Sequence, residues 1–172
     1  MVVNYKIKVT LKGFEKKIKR TFIVNDNNKI EDFCIAIINS MNGDLDHLYQ
    51  LKYKDTYYIC SYMEKNNPNE IKMNSLRLGK LLLDEKDKLE LVYDFGDNWI
   101  FNIKVDKVLS GHNPKKIELI DGLGCGIEED CGGIWGLESL IDNPDNDWGY
   151  RYDDFNIKEI NEMLDKYYNT RK

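Results

Sequence analysis

The stretch LELVYDFGDNWIFNIKV, residues 89–105, decides the fold of this chain. Apolar side chains alternate with polar ones on both sides of a central DFGDN, and alternation with a period of two is typical of a half-buried strand. The alternating apolar residues are Leu89, Leu91, Tyr93, Trp99, Phe101, Ile103 and Val105. Gly96, Asp97 and Asn98 favour a turn between them. The stretch therefore predicts a β-hairpin with its corner at 94–98.

A second hairpin and a helix are predicted before this stretch. Residues 4–11 and 18–24 alternate in the same way and predict two strands joined by a turn. Apolar residues then recur at spacings of three and four over residues 30–41, which indicates an amphipathic helix with one buried face. Asn28 is its predicted start and Gly43 its predicted stop. A hairpin followed by a packed helix is a β-grasp-like beginning.

The order of the elements predicts the fold class. The remaining predicted elements are strands at 47–53 and 56–62, a polar loop at 64–74, a helical turn at 75–82, a short helix ending before Pro144 and a last helix beginning at Asn156. This order favours an α+β fold, with a largely antiparallel mixed sheet and helices on one face. A chain of 172 residues fits a single domain. We expect one domain over 1–172, with a hairpin-helix-strand half at 1–62 and a second half at 75–172.

Composition excludes a membrane-spanning protein. The chain is 42% hydrophobic, enough for a core, but no apolar run approaches the ~20 residues that a membrane helix requires. Residues 1–13 show no signal-peptide core, so a cytoplasmic location is predicted. The four cysteines, Cys34, Cys60, Cys125 and Cys131, are expected to be reduced.

Charge is distributed unevenly along the chain. Residues 1–20 contain seven basic residues and one acid, whereas residues 121–154 contain ten acids and one basic residue. The net charge of -5 repels a nucleic-acid backbone, so a nucleic-acid partner is disfavoured for the molecule as a whole. The basic hairpin at 6–20 could still contact phosphate locally, although a solvated strand face is the favoured interpretation.

An acidic and aromatic group of residues is the candidate site. It consists of Asp94, Asp97, Trp99, Asp121, Glu129, Asp130 and Trp135. Carboxylates that share a cleft raise one another's pKa or recruit a hard divalent cation such as Mg²⁺ or Ca²⁺. Asp97, Glu129 and Asp130 are the candidate metal ligands. The competing interpretation is that these acids cap turns and helix ends.

Cysteine and histidine give weaker signals. Structural zinc usually requires four Cys or His ligands at tight spacing, and Cys125 and Cys131 stand apart from any second pair. Cys131 is therefore expected to pack beneath the glycine turn. His47 follows Asp46, which could orient it as a general base. A structural hydrogen bond is the favoured role for this histidine.

Several motifs together resemble the plasmid pRiA4b ORF-3-like family. They are YDFGDNW at 93–99, EDCGG at 129–133 with Gly136, a closing helix with Phe155, Asn161 and Leu164, the first hairpin YKIKVTLKG with Arg20, and DHLYQL at 46–51. The resemblance covers nearly the whole chain and implies an α+β domain of mixed sheet and helices. Relatives of this kind occur on plasmids and as passengers of insertion sequences, which hints at mobile-element biology without assigning a reaction.

The chain departs from the family pattern at two places. Many relatives have a histidine two residues after the tryptophan, where this chain has Phe101. Many have two prolines before the Glu-Asp pair, where this chain has Ile127 and Glu128. A catalytic role that used that histidine would therefore be missing here.

These observations favour a non-catalytic binding or adaptor domain. Its acidic, aromatic and glycine-rich surface would take a basic peptide or a small cationic ligand, so the expected partner is a protein or a small molecule. One alternative is a metal-dependent hydrolase or phosphotransferase that uses the same acids. The other is a mobile-element accessory protein that contacts nucleic acid through its basic hairpin.

Overall fold

The computed structural model describes residues 2–111 and 117–170, with the side chains of 168–170 left out. The strands within these ranges are β1 (Val3–Leu11), β2 (Lys19–Asn25), β3 (Tyr49–Tyr53), β4 (Thr56–Ile59), β5 (Glu70–Lys72), β6 (Lys88–Tyr93), β7 (Trp99–Ser110) and β8 (Glu118–Leu123). The helices are α1 (Ile30–Ser40), α2 (Gly133–Asp142) and α3 (Ile157–Thr170), with a 3₁₀ turn at Leu78–Leu81. None of the helices in this part of the chain is both long and apolar enough to cross a membrane.

The eight described strands form one sheet in the order β5-β4-β3-β6-β7-β1-β2-β8. Every neighbouring pair is antiparallel except β4 and β5, which are parallel. The predicted α+β class and largely antiparallel sheet are therefore confirmed. The β6–β7 hairpin lies at the centre of the sheet, and its last pair joins Tyr93 to Trp99. This places the corner 94–98 at one end of the sheet.

The core lies between one face of the sheet and two of the helices. Ile7, Leu91 and Phe101 are fully buried on this face. The ring of Phe33 on α1 packs edge-on against Phe22 of β2, with 6.0 Å between ring centroids. Helix α3 contacts both α1 and β8. Helix α2 instead begins beside the corner 94–98, at the end of the sheet.

Two strands were not predicted. Strand β5 lies inside the predicted polar loop 64–74, and its three residues pair only with β4 at the edge of the sheet. Strand β8 has the sequence ELIDGL, in which a glycine interrupts the alternation. Because edge strands can be short and polar, local patterns identify them poorly.

The predicted start of α1 was wrong. Lys29 precedes the helix and no side chain caps it. The Asn28 side chain instead accepts a hydrogen bond from the Asn25 amide at 2.7 Å. Asparagine side chains bond to local backbone groups in turns as readily as at helix ends. The Asn28 side chain therefore bonds within its own loop and does not cap α1. Asn156 does cap α3, because its side-chain oxygen accepts the amides of Lys158 and Glu159.

A buried arginine joins the end of α1 to the loop that follows β8. The Arg20 guanidinium donates to the carbonyl oxygens of Ser40, Leu123 and Cys125, each at 2.8 Å. The ring of Phe155 lies over it at 4.5 Å. Burial lowers the pKa of Arg20 to about 10. This single side chain therefore fixes the end of α1 relative to the loop that follows β8.

One side chain of α3 covers the outer edge of β8. The Asn161 amide accepts a hydrogen bond from the Leu119 N–H at 3.0 Å and donates to the Leu119 carbonyl at 2.8 Å. These are the two hydrogen bonds that a neighbouring strand would make with that residue. The exposed edge of the sheet is thus partly closed by a helix.

Candidate functional site

The corner between β6 and β7 turns one carboxylate inward. Asp94 and Asn98 both adopt positive φ, at 56° and 57°. The Asn98 amide donates to the Asp94 carbonyl at 2.6 Å, and the Gly96 amide donates to Asp94 Oδ1 at 2.9 Å. Asp94 is therefore fixed by its own loop, with a side chain only 10% exposed.

The segment EDCGG docks against this corner through its glycines. A Cβ atom on Gly133 would lie 2.6 Å from the Asp97 carbonyl oxygen, so only glycine allows this approach. The Gly132 amide donates to Asp97 Oδ2 at 3.3 Å. Together these contacts bring the two preceding residues, Glu129 and Asp130, beside the corner.

A third segment, residues 44–47, completes the site. Glu129 Oε1 accepts the Asp44 amide at 2.9 Å and the Tyr93 hydroxyl at 2.8 Å. The Tyr93 oxygen also lies 3.0 Å from Asp44 Oδ1 and accepts the Leu45 amide at 3.1 Å. Tyr93 therefore holds the loop after α1 and the EDCGG segment in one fixed arrangement.

The imidazole of His47 lies among three carboxylates. Its Nδ1 is 3.7 Å from Asp94 Oδ1, and its Nε2 is 3.9 Å from Glu129 Oε2 and 3.7 Å from Asp130 Oδ1. These distances exceed a direct hydrogen bond. One ligand atom each from His47, Asp94 and Glu129 lies within 4.8 Å of the other two. The Glu129 side chain is 17% exposed, whereas that of Asp130 is 79% exposed.

The Glu129–Asp44 pair has shifted acidities. Burial raises the pKa of Glu129, and the negative charge of Asp44 adds to this, while hydrogen bonds from the Asp44 amide and the Tyr93 hydroxyl oppose it. Partial burial also raises the pKa of Asp44, but hydrogen bonds from the Asp46 amide and the Tyr93 hydroxyl outweigh it, so that pKa is lowered. Burial raises the pKa of Tyr93, and its hydrogen bond to Glu129 raises it further. Tyr93 thus acts as a hydrogen-bond donor.

This arrangement has the chemistry of a cation site. Imidazole nitrogen and carboxylate oxygen are the donors that bind Zn²⁺ and Mn²⁺ in proteins. Within the described residues, Glu129 Oε2 is buried and has no hydrogen-bond partner. Buried polar atoms normally have a partner, so this oxygen is suited to accept a cation.

A cavity adjoins the site on the side of His47. Its volume is about 300 Å³. The residues that line it are Ile35, Leu45, Asp46, His47, Leu48, Tyr49, Cys60, Tyr62 and Tyr167. Aromatic and aliphatic walls with a few polar groups are typical of small-molecule pockets.

The structure brings some of the sequence-predicted residues together and leaves others apart. Asp94, Glu129 and Asp130 meet around His47. Asp97 lies beside them, but its carboxylate accepts the amide at the start of α2.

The other three predicted residues lie outside this group. Trp99 is fully buried in the core beneath the corner, whereas Trp135 on α2 is 75% exposed. Asp121 lies on β8 opposite Thr21, three strands away from β7 in the sheet.

Three members of the site were not among the predicted site residues: Asp44, His47 and Tyr93. His47 stood out only through its neighbour Asp46, yet the carboxylates around it come from positions 94, 129 and 130. The DHLYQL motif contains His47, and its Tyr49 pairs with Tyr93 across β3 and β6. Strand pairing, which the local sequence does not reveal, creates the site.

Among the described residues, no cysteine belongs to a group of three or more side chains placed to hold a metal ion. All four are free thiols. Burial raises the pKa of both Cys125 and Cys131 to about 11, so each stays protonated at neutral pH. The Cys131 thiol lies against the glycine turn, 3.7 Å from the Gly133 carbonyl oxygen.

Comparisons with known proteins agree with this architecture. A family model described as "Plasmid pRiA4b ORF-3-like protein" matches residues 3–171. The Uncharacterized protein y4hQ of Sinorhizobium fredii is 24% identical over 138 residues, which are 80% of this chain and 71% of that protein. A crystal structure of a protein of unknown function, MM3350 from Methanosarcina mazei Go1, has a TM-score of 0.78 at 19% identity and covers 92% of this chain and 97% of that chain. This structural likeness concerns the fold.

Proposed function

The chain belongs to the plasmid pRiA4b ORF-3-like family, and from the geometry of its acidic site we propose that it is a binding domain whose site takes a divalent metal ion. The observation behind this proposal is that ligand atoms of His47, Asp94 and Glu129 all lie within 4.8 Å of one another. Glu129 Oε2 adds support, because it is buried and lacks a hydrogen-bond partner in the described part of the chain. A cation would provide that partner.

The mixed donors favour a transition ion over Mg²⁺ or Ca²⁺. Imidazole suits Zn²⁺, whereas Mg²⁺ and Ca²⁺ prefer oxygen ligands alone. Ligand atoms around a tetrahedral Zn²⁺ are about 3.3 Å apart, given Zn–ligand distances of ~2.0–2.2 Å. One ligand atom each from His47, Asp94 and Glu129 lies within 4.8 Å of the other two. The three side chains would therefore have to move closer together, with a single His47 nitrogen turned toward the ion.

As a binding domain, the protein would present the metal and its surroundings to a partner. Three protein ligands leave a coordination position for a fourth group. The segment after Glu129 carries the exposed Asp130 carboxylate and the exposed Trp135 indole, which suit a basic peptide or a small cationic ligand. A cytoplasmic location is part of this proposal, and the four free cysteines support it.

A metal-dependent hydrolase or phosphotransferase is the second candidate. The cavity of about 300 Å³ beside His47 favours it, because a substrate there would lie next to the metal. A divalent ion with an open position can activate water or stabilise phosphate charge. Turnover of a phosphoester panel that requires Zn²⁺ and disappears in Asp94→Asn would support catalysis.

The binding proposal is tested by titrating chelator-treated protein with Zn²⁺ in a calorimeter. We expect saturable binding of one ion, weakened by more than about 100-fold in Glu129→Gln, because losing a ligand costs more than losing one of its hydrogen-bond partners. Glu128→Gln is the matched control, since it removes the neighbouring carboxylate outside the site. Near-UV circular dichroism verifies that both variants are folded.

Two results would contradict the proposal. One is wild-type protein that binds neither Zn²⁺ nor Mn²⁺. The other is equal loss in Glu128→Gln, which would indicate nonspecific attraction to a negative surface. Asp97→Asn separates the two ligand sets: it should keep the ion if His47, Asp94 and Glu129 hold it. It should lose the ion if the sequence-predicted set of Asp97, Glu129 and Asp130 is correct.

A further inference from the structure

The sheet face opposite α1 and α3 carries lysines at one register. Lys88 pairs with Lys104 across β6 and β7, and Lys104 pairs with Lys8 across β7 and β1. All three side chains are exposed. Directly opposed residues have Cβ atoms ~4.5–5.5 Å apart. Three positive charges therefore share one patch across three adjacent strands.

Two adjoining depressions lie on this face. The larger, of about 460 Å³, is lined by Lys8, Thr10, Lys88, Leu89, Asn102, Ile103 and Lys104. The second, of about 330 Å³, is lined by Lys52, Lys54, Lys88, Leu89, Glu90 and Asn102. Five lysines thus surround the two depressions with one carboxylate, Glu90, among them. This excess of positive charge calls for an anionic ligand.

The fold itself only partly neutralises these lysines. Asp106 lies 3.1 Å from the Lys8 ammonium and 3.6 Å from that of Lys6. No acid within residues 2–111 and 117–170 forms an ion pair with Lys88 or Lys104. Like charges directly opposite one another destabilise a sheet. The row therefore lowers the stability of the sheet, and an anion bound across it would remove that repulsion.

We propose that this face binds a short linear polyphosphate chain. Lysine ammonium groups are common phosphate binders. The Thr10 hydroxyl and the Asn102 amide, which line the larger depression, add neutral hydrogen-bond donors. Neighbouring strands are ~4.8 Å apart, so the row matches anionic groups that follow one another at a few ångströms.

A small anion fits these observations better than a nucleic-acid strand. Proteins that bind single strands stack bases on aromatic rings. None of the described residues that line either depression is aromatic. The net charge of -5 also repels a long polyanion, while a short one experiences mainly the local lysines.

Calorimetric titration with inorganic tripolyphosphate tests the proposal. The full chain is first treated with chelator and dialysed, so that a metal at the acidic site cannot bridge to phosphate. We expect saturable binding to the wild type, weakened by at least about tenfold in Lys88→Ala/Lys104→Ala. Lys158→Ala is the matched control, because this exposed lysine lies on α3, on the other side of the sheet. Its affinity should equal that of the wild type.

Further titrations separate the competing ligands and sites. Glu129→Gln should bind tripolyphosphate like the wild type, since this proposal does not depend on the metal site. Failure of the wild type to bind, equal weakening in Lys158→Ala, or loss in Glu129→Gln would overturn the assignment. A single-stranded oligonucleotide that binds more than about tenfold tighter than tripolyphosphate would also overturn it and identify nucleic acid as the partner.

Discussion

At the scale of single residues, Glu129 is the side chain on which the candidate site depends. One of its oxygens accepts two hydrogen bonds, and the other is buried without a partner among the described residues. Burial raises the pKa of this carboxyl, so its ionised form is disfavoured in the folded protein. A metal ion would reverse that preference, because it binds the carboxylate and not the acid.

Burial and metal binding act on Glu129 in opposite directions. We therefore predict that Glu129→Gln is more stable than the wild type without metal and less stable than the wild type with metal. Because the folded pKa is raised, the contribution of Glu129 to wild-type stability is greatest below the unfolded value of ~4.3 and is lost as pH rises through the folded pKa. The neutral amide avoids that loss, so metal-free Glu129→Gln should be the more stable protein at neutral pH. The difference should vanish near pH ~4, where both side chains are neutral. With saturating Zn²⁺ the wild type should become the more stable.

Urea unfolding at several pH values, with and without Zn²⁺, measures this crossover. If metal-free Glu129→Gln is less stable than the wild type at neutral pH, the predicted crossover does not occur. The hydrogen bonds from Asp44 and Tyr93 would then stabilise the carboxylate by more than its burial costs. The ionised Glu129 would then be stable in the folded protein without a cation, and its burial would not favour metal binding.

Sequence identified half of this site at the residue scale. Asp94, Glu129 and Asp130 were predicted because acids beside glycine turns stand out locally. His47 was given a structural role, since its nearness to Asp94 and Glu129 depends on the pairing of β3 with β6. Asp97 was predicted as a ligand, yet its carboxylate accepts the Gly132 amide, a contact that only the docking of a distant segment creates.

At the scale of elements, the site depends on how closely the EDCGG segment approaches the β6–β7 corner. We predict that Gly133→Ala destabilises the protein and weakens Zn²⁺ binding. The new Cβ would lie 2.6 Å from the Asp97 carbonyl, and the residue has a φ of +68°. Strained backbone of this kind costs ~1–3 kcal/mol before any clash is added. Urea unfolding and the Zn²⁺ titration give the two readouts.

Gly132→Ala is the matched control for this prediction. Gly132 also has positive φ, at +93°, but no atom lies within 4 Å of an added Cβ. It therefore reports backbone strain without the clash. Equal losses in the two variants would show that the close approach to Asp97 is unimportant for holding Glu129 in place.

Elements differed in how well the sequence predicted them. The β6–β7 hairpin followed directly from alternation around a turn-forming corner. Strands β5 and β8 lie at the two edges of the sheet, where one side of a strand has no partner strand and its side chains need not alternate. The beginning of α1 was misplaced because Asn28 bonds within its own loop.

At the scale of the whole molecule, the outer edge of β8 decides whether the sheet can extend into another copy. We predict that Asn161→Ala causes concentration-dependent self-association, because it frees the N–H and carbonyl of Leu119 for a foreign strand. It should also reduce stability by about 1–3 kcal/mol, the cost of leaving such groups unpaired. Sedimentation velocity over a range of concentrations measures the association.

Asn156→Ala serves as the control at this scale. It removes the cap of α3 and so weakens the same helix without exposing β8. If Asn156→Ala associates as strongly as Asn161→Ala, loosening of the helix and not the freed strand edge is the cause.

The fold class could be predicted for the whole molecule, but the strand order could not. Local patterns assign strands and helices, and the resemblance in motifs led to the same α+β family. The pairing of β1 with β7 joins residues about a hundred positions apart in the sequence. Such a pairing depends on the combined burial of all the elements, and no local signal encodes it.

The lysine row and the acidic site also have a joint consequence. Lys88 begins β6 and Tyr93 ends it, so about 17 Å of strand separates the lysine row from the acidic site. A net charge of -5 does not reveal these two local fields of opposite sign. An anion and a cation would therefore be attracted to different places on one molecule, and both attractions would weaken as salt is added.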